Sequence, residues 1–253
     1  MKQSGKYLFS FILLVTFIIT SYKSAYSQLR KISVNFKAET DSGKKFPSFD
    51  THTQISYYHK YALIEVSDVS VTRKFQAKGK SNSFKETASR DSISTAYYIY
   101  SIGSTHGLAY DSLSQKKVKV FSVDSLLKKK AFAGANFYNA KTDSLIKSIN
   151  LSSQYTSGIE TYLRNSDLLK GSKDTLVFYY TNHLQGLPYS LSPTLDGRQK
   201  GKVYKIEYMY LAGKKDTDKS LLQNMKAVFE IKESKVVDRP LLKYFEKFIS
   251  EYK

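Results

Sequence analysis

The pattern that most limits what this chain can become is a period of two. In VSVTRKFQAK, starting at Val69, the residues Val69, Val71, Phe75 and Ala77 fall on one side and Ser70, Thr72, Lys74, Gln76 and Lys78 on the other, with Arg73 alone out of place. KVYKIEYMY repeats the arrangement, with Tyr204, Ile206, Tyr208 and Tyr210 in one row and Val203, Lys205, Glu207 and Met209 in the other. Alternation in β-branched and aromatic residues is the signature of strands, because successive side chains of a strand leave opposite faces. The same logic predicts strands over Ile32 to Glu39, Gln54 to Val66, Thr95 to Tyr100, Lys117 to Val123, Thr175 to Thr181 and Ala227 to Glu233. One-sided alternation further implies an antiparallel sheet with one covered face and one wetter face.

Two segments carry a helical pattern instead. SGIETYLRNSDLLKG, from Ser157 to Gly171, has Ser157 and Glu160 at capping-box spacing and a glycine where a helix would end. Near the C-terminus Asp238 is placed to cap, Pro240 suits a first turn, and Leu241, Phe245, Phe248 and Tyr252 follow a helical stripe. Polar stretches such as DSGKKFPSFD, KGKSNSFKETASRDS and AGKKDTDKS have too little apolar content for a core and are expected to be loops or hairpin tips. No repeat period of solenoid or propeller type occurs. The expected fold is α+β: a large curved antiparallel β-sheet, half-barrel-like, with a few packed helices including a C-terminal helix.

With no cysteine, such a fold has no disulfide to staple it and depends on its core. The N-terminus has Lys2 and Lys6, then an apolar run from Tyr7 to Thr20, then a polar stretch ending in small residues. That is the layout of a secretory signal peptide, and the run is shorter than the roughly 20 residues of a membrane-spanning helix. Residues 1–27 are therefore expected to be removed, leaving 28–253 as one β-rich domain, periplasmic or extracellular, with no transmembrane span. The net charge of +18 comes almost wholly from lysine. A shortage of arginine argues against nucleic acid, whose phosphates and bases favour the guanidinium fork. Lysine excess suits either an ordinary solvated surface or attraction to anionic lipid or acidic polysaccharide.

Catalytic signals are sparse. None of the four histidines, His52, His59, His106 and His183, has zinc-motif spacing. Asp50 and His52 give at most two of the ligands a metal needs, so no metal and no cofactor are expected. GSTHG, Gly103 to Gly107, superficially looks like a nucleophile elbow, but that motif needs a helix after it and LAYDSLSQKKVKV continues as strand. A glycine hairpin turn is the better account. No phosphate loop is present, and no credible Ser-His-Asp set can be assembled.

The aromatic residues are more informative, with 21 tyrosines and 15 phenylalanines recurring in the alternating segments. Ordinary cross-strand packing accounts for them in one reading. In the other they line a concave sheet face that holds an acyl chain or other amphiphile, with lysines at the rim for an anionic head. Two of the four prolines, Pro188 and Pro193, sit in HLQGLPYSLSP, which confines that segment to an edge, bulge or crossing loop, while Leu187, Tyr189, Leu191 and Leu195 give it an apolar side.

GLP at Gly186 to Pro188, preceded by the aromatic run FYYTN at Phe178 to Asn182, resembles the signature of the GLPGLI family of small exported bacterial proteins; the match stops at Tyr189, Ser190 and Leu191. The resemblance implies a cell-envelope protein whose sheet is like the half-barrels of periplasmic lipoprotein carriers. The expected function is thus non-enzymatic: binding of a lipid or other amphiphile, or of a hydrophobic segment of an envelope protein, by Leu187, Tyr189, Tyr204, Tyr208 and Tyr210. A basic adhesion or scaffold protein that engages anionic polysaccharide is the alternative, with a hydrolase as a further one.

Overall fold

The computed structural model describes residues 29–40, 51–77, 84–116, 118–135, 137–165, 173–197, 201–210, 225–234 and 239–252, with the side chains of 40, 51, 68–91, 173 and 239 outside that description. Eleven strands form one open, curved sheet: β1 (Arg30–Thr40), β2 (Thr51–Tyr58), β3 (Tyr61–Ala77), β4 (Phe84–Ser101), β5 (His106–Tyr110), β6 (Lys119–Ser122), β7 (Asp143–Asn150), β8 (Gly158–Asn165), β9 (Lys173–Thr181), β10 (Lys202–Tyr210) and β11 (Met225–Ser234). Every pairing is antiparallel. Two helices complete the described elements, α1 (Val123–Ala131) and the C-terminal α2 (Arg239–Glu251). The expectation of a large antiparallel sheet with a C-terminal helix holds.

The strand order is β6-β5-β4-β3-β2-β1-β11-β10-β9-β8-β7. The first and last strands are neighbours in mid-sheet, and β6 and β7 are its two edges. The chain between β6 and β7 must therefore cross from one edge to the other, and it does so over the concave face. There α1, the segment after it and the proline-bearing segment 182–197 join Ile32, Ile55, Ile64, Phe178 and Ile206 in the main core. Alternate residues of the same strands face the other way. Ala62 and Ile64 belong to the main core, whereas Leu63 between them packs with Ile99, Tyr110, Leu241, Phe245 and Phe248 beneath α2. The sheet is thus covered on both faces at its β3–β5 end.

Several sequence expectations are corrected. Over its described part the segment from Ser157 to Gly171 is strand, not helix: Gly158–Asn165 is β8, with Gly158, Glu160 and Tyr162 turned inward. The pattern misleads because an acid occupies a core position, where the Glu160 carboxylate accepts from the hydroxyls of Tyr162 at 2.8 Å and Tyr180 at 2.5 Å. Gln54 to Val66 is two strands, not one, turned at His59 and Lys60; His59 has φ of 53°, a conformation whose usual marker is glycine or asparagine. The stretch KGKSNSFKETASRDS is not all loop, since β4 already begins at Phe84. The strand predicted to end at Val123 stops at Ser122, which caps α1 by accepting from the Ser125 amide at 3.4 Å. Neither α1 nor β7 is foreseen from the alternation. DSGKKFPSFD, AGKKDTDKS, the Asp238 cap and the signal-like N-terminus lie outside the described residues.

Burial under α2 gives a quantitative expectation. Phe245 is fully buried, whereas Ile93 is 72% exposed. Phe245→Ala should lower the unfolding free energy in urea by about 3–5 kcal/mol, and Ile93→Ser should change it by less than about 0.5 kcal/mol.

Candidate functional site

A cleft of about 390 Å³ opens where three parts of the chain meet. One wall is the β4–β5 turn, Ile102 to Thr105; another is α1 with the following Ala133 and Gly134; the third is the proline segment, through Pro188, Tyr189, Ser190 and Pro193. Its floor is Tyr57 of β2 and Tyr100 of β4. The volume falls at the lower end of the roughly 300–1,000 Å³ of small-molecule clefts.

Each wall is fastened by short-range polar contacts. Gly103 takes φ of 88° in the turn, and the Ser104 hydroxyl lies 2.7 Å from the Ser101 carbonyl and 2.9 Å from that of His106. At its start α1 is tied to this turn, the Val123 amide donating to the Thr105 carbonyl at 3.0 Å. At its end the Thr53 hydroxyl donates to the Lys130 carbonyl and the Tyr189 hydroxyl to the Ala131 carbonyl. The proline segment is held from below by Lys202, whose ammonium donates to the carbonyls of Leu187 and of Tyr189 (2.8 Å to the latter). Burial pushes that ammonium's pKa down.

Three phenols define the interior chemistry. Burial raises the pKa of Tyr57 and of Tyr189 well above the usual tyrosine value and pushes that of Tyr100 from 10.0 up to about 12. The Tyr100 hydroxyl also raises both of its neighbours, which places the three groups within electrostatic reach of one another. All three remain neutral hydroxyls at physiological pH. Among the described residues the only carboxylate in the lining is Asp124, and no lysine or arginine contributes to it.

Of the five residues singled out from sequence, only Tyr189 lines the cleft. Leu187 is 5% exposed in the core behind it. The Tyr204, Tyr208 and Tyr210 row is broken by a β-bulge between Val203 and Lys205, which gives β10 one extra residue against β9. Tyr204 accordingly meets Tyr155, Tyr179 and the Thr156 hydroxyl. Tyr208 instead donates to buried Asp174 at 2.8 Å, beside Tyr210 and below Arg164. Arg164 in turn makes a double hydrogen bond to Asp143 at 2.6 and 2.7 Å, holding β7 to β8. Burial works against the Asp143 charge, but Arg164 and the Asn139 amide hold its pKa below the usual carboxylate value. These tyrosines belong to structural networks rather than to the cleft.

The GSTHG turn and the proline segment, both conspicuous in the sequence, line the same cleft. The elbow alternative for GSTHG is not met, since β5 and not a helix follows it. Gly107 serves packing: a Cβ there would lie 2.4 Å from the Ile99 carbonyl and 2.6 Å from the Phe121 ring. His52, considered with Asp50 for metal, is engaged by Asn35 at 2.5 Å and Gln54 at 3.1 Å.

A phenol with a raised folded-state pKa holds its proton more tightly when folded. Its stabilising contribution is full below pH 10.0 and is lost as pH rises towards about 12. Urea unfolding across an alkaline pH series should thus show a steeper loss of stability in the wild type than in Tyr100→Phe.

No protein-family model matches the chain, and no curated protein matches it. Among solved structures it is similar to a LolA superfamily protein from Nitrosomonas europaea, at 9% identity over 91% of this chain and 96% of that one, with a TM-score of 0.26. At that score the likeness bears on neither the fold nor the ligand.

Proposed function

We propose that this chain is an exported, non-enzymatic binding protein of the cell envelope that accommodates the apolar part of a small amphiphile in the cleft between α1, the β4–β5 turn and the proline segment. The observation that carries the reading is a preformed concavity framed by Ile102, Leu127, Ala133, Pro188 and Pro193, with phenols at its base. Apolar walls with a few placed polar atoms are the usual composition of a ligand cleft. The fastening of all three walls supports it, because a site already ordered before binding loses little entropy on binding. Export rests on the signal-like N-terminus.

Acidic polysaccharide, the alternative suggested by charge, draws on lysines of which several on the outer face are already paired: Lys205 and Lys226 with Glu207, and Lys232 with Glu230.

Residues 28–253, produced in a bacterial periplasm and purified without detergent, should capture a fluorescent acyl probe with an affinity insensitive to salt. Ala133→Phe, which fills the cleft, should weaken capture at least about tenfold, an effect of the size expected when an apolar contact is replaced by a clash, while leaving the urea midpoint within error. Unchanged capture in Ala133→Phe, or capture abolished by salt, would contradict the proposal.

A further inference from the structure

The polar atoms of the cleft also select the ligand's head. Tyr189 spends its hydroxyl hydrogen on the Ala131 carbonyl. The Tyr189 main chain lies close enough to the Tyr57 hydroxyl to lower its pKa, as an amide that faces the oxygen does. Among the described residues no protein acceptor takes the hydroxyl hydrogen of Tyr57 or of Tyr100, although both side chains are more than nine-tenths buried. Neither hydroxyl oxygen is among the sealed polar atoms that lack a partner, and both residues line the cleft, so each offers a donor to an acceptor that enters it.

That acceptor cannot be an anion at low free energy. Among the described residues the lining carries Asp124 and no cation. A helix N-terminus would ordinarily attract negative charge, but here the Val123 amide is committed to the Thr105 carbonyl and the Ser125 amide to Ser122, and Asp124 adds its own charge beside them. Lys128 and Lys129 of α1 are exposed and point no charge into the lining. An ionised head entering the cleft would lose its hydration with no counter-charge to replace it.

We infer that the cleft takes an acyl compound whose head is an uncharged carbonyl, an ester or amide that accepts from Tyr57 and Tyr100, and that it discriminates against the corresponding free carboxylate. The inference rests on the cleft being the ligand site proposed above.

Competition against the fluorescent acyl probe separates the two claims. Monomyristin, myristate and myristyl trimethylammonium share one chain and differ in head charge, and each is used below its aggregation concentration at a pH where the acid is ionised. Monomyristin should compete at least about tenfold better than myristate, the minimum expected for stranding an unpaired charge. Tyr100→Phe, which keeps the ring and removes one donor, should weaken monomyristin about three- to tenfold, as the loss of one hydrogen bond does, and leave myristate unmoved. Myristate or the ammonium compound competing as well as monomyristin would overturn the inference while leaving the apolar site standing, as would a Tyr100→Phe variant with unaltered selectivity. If none of the three competes, the site itself is refuted.

Discussion

The adjacency of β1 and β11 in the middle of the sheet governs the remainder of the structure. Once the two ends of the chain are paired, the two strands at its midpoint, β6 and β7, are forced to opposite edges. Their connection has to traverse the sheet, and the concave face is where apolar side chains of β1 to β4 and β8 to β11 would otherwise meet water. Covering them is the favourable step, since burial of apolar area is the main driving term in folding. The crossing segment is therefore core, not linker: Val123, Ala131 and Tyr138 are buried with the sheet residues. The cleft is what remains between this crossing chain, the proline segment and one hairpin turn.

A sheet interior this rich in tyrosine also has to satisfy its hydroxyls. Most of them do so by tying one element to another. Tyr180 and Tyr162 converge on Glu160, Tyr208 on Asp174, Tyr110 on Glu251 of α2, and Tyr189 on the end of α1. Apart from the Tyr162 bond within β8, these bonds join separate elements, so the phenols specify how strands and covering segments seat together as well as adding buried area. Tyr57 and Tyr100 depart from this rule, and they lie together at the base of the cleft.

Alternation made the sheet legible. β1, β9, β10 and β11 lie close to where the period of two puts them, and the helical stripe through Leu241, Phe245 and Phe248 marks α2. Reading failed where a local residue choice answered to distant partners. Glu160 inverted the apparent pattern of β8 because its carboxylate is paired with phenols from the core. His59 adopts a left-handed turn without the usual residue type. The helix α1 did carry a signal, Ser122 and Asp124 before Lys128, Lys129 and Lys130 in the order that suits the helix dipole, but its apolar stripe is short. The site was half legible. The proline segment and the GSTHG turn stood out as unusual, yet nothing in their composition says that they line the same cleft. In β10 a bulge between Val203 and Lys205, invisible to a strict period of two, interrupts the tyrosine row at Tyr204.

The central claim is one of place: an apolar ligand lies against the crossing segment and not along the β10 tyrosines. Binding a nitroxide-labelled acyl chain to the isotopically labelled protein and measuring paramagnetic broadening of backbone amides tests this directly. The account predicts loss of signal at Gly103, Ser104, Leu127, Gly134 and Ser190, with the amides of Tyr204, Tyr208 and Tyr210 unaffected. Broadening centred on Tyr204 or Tyr208, with the α1 cleft untouched, would contradict it.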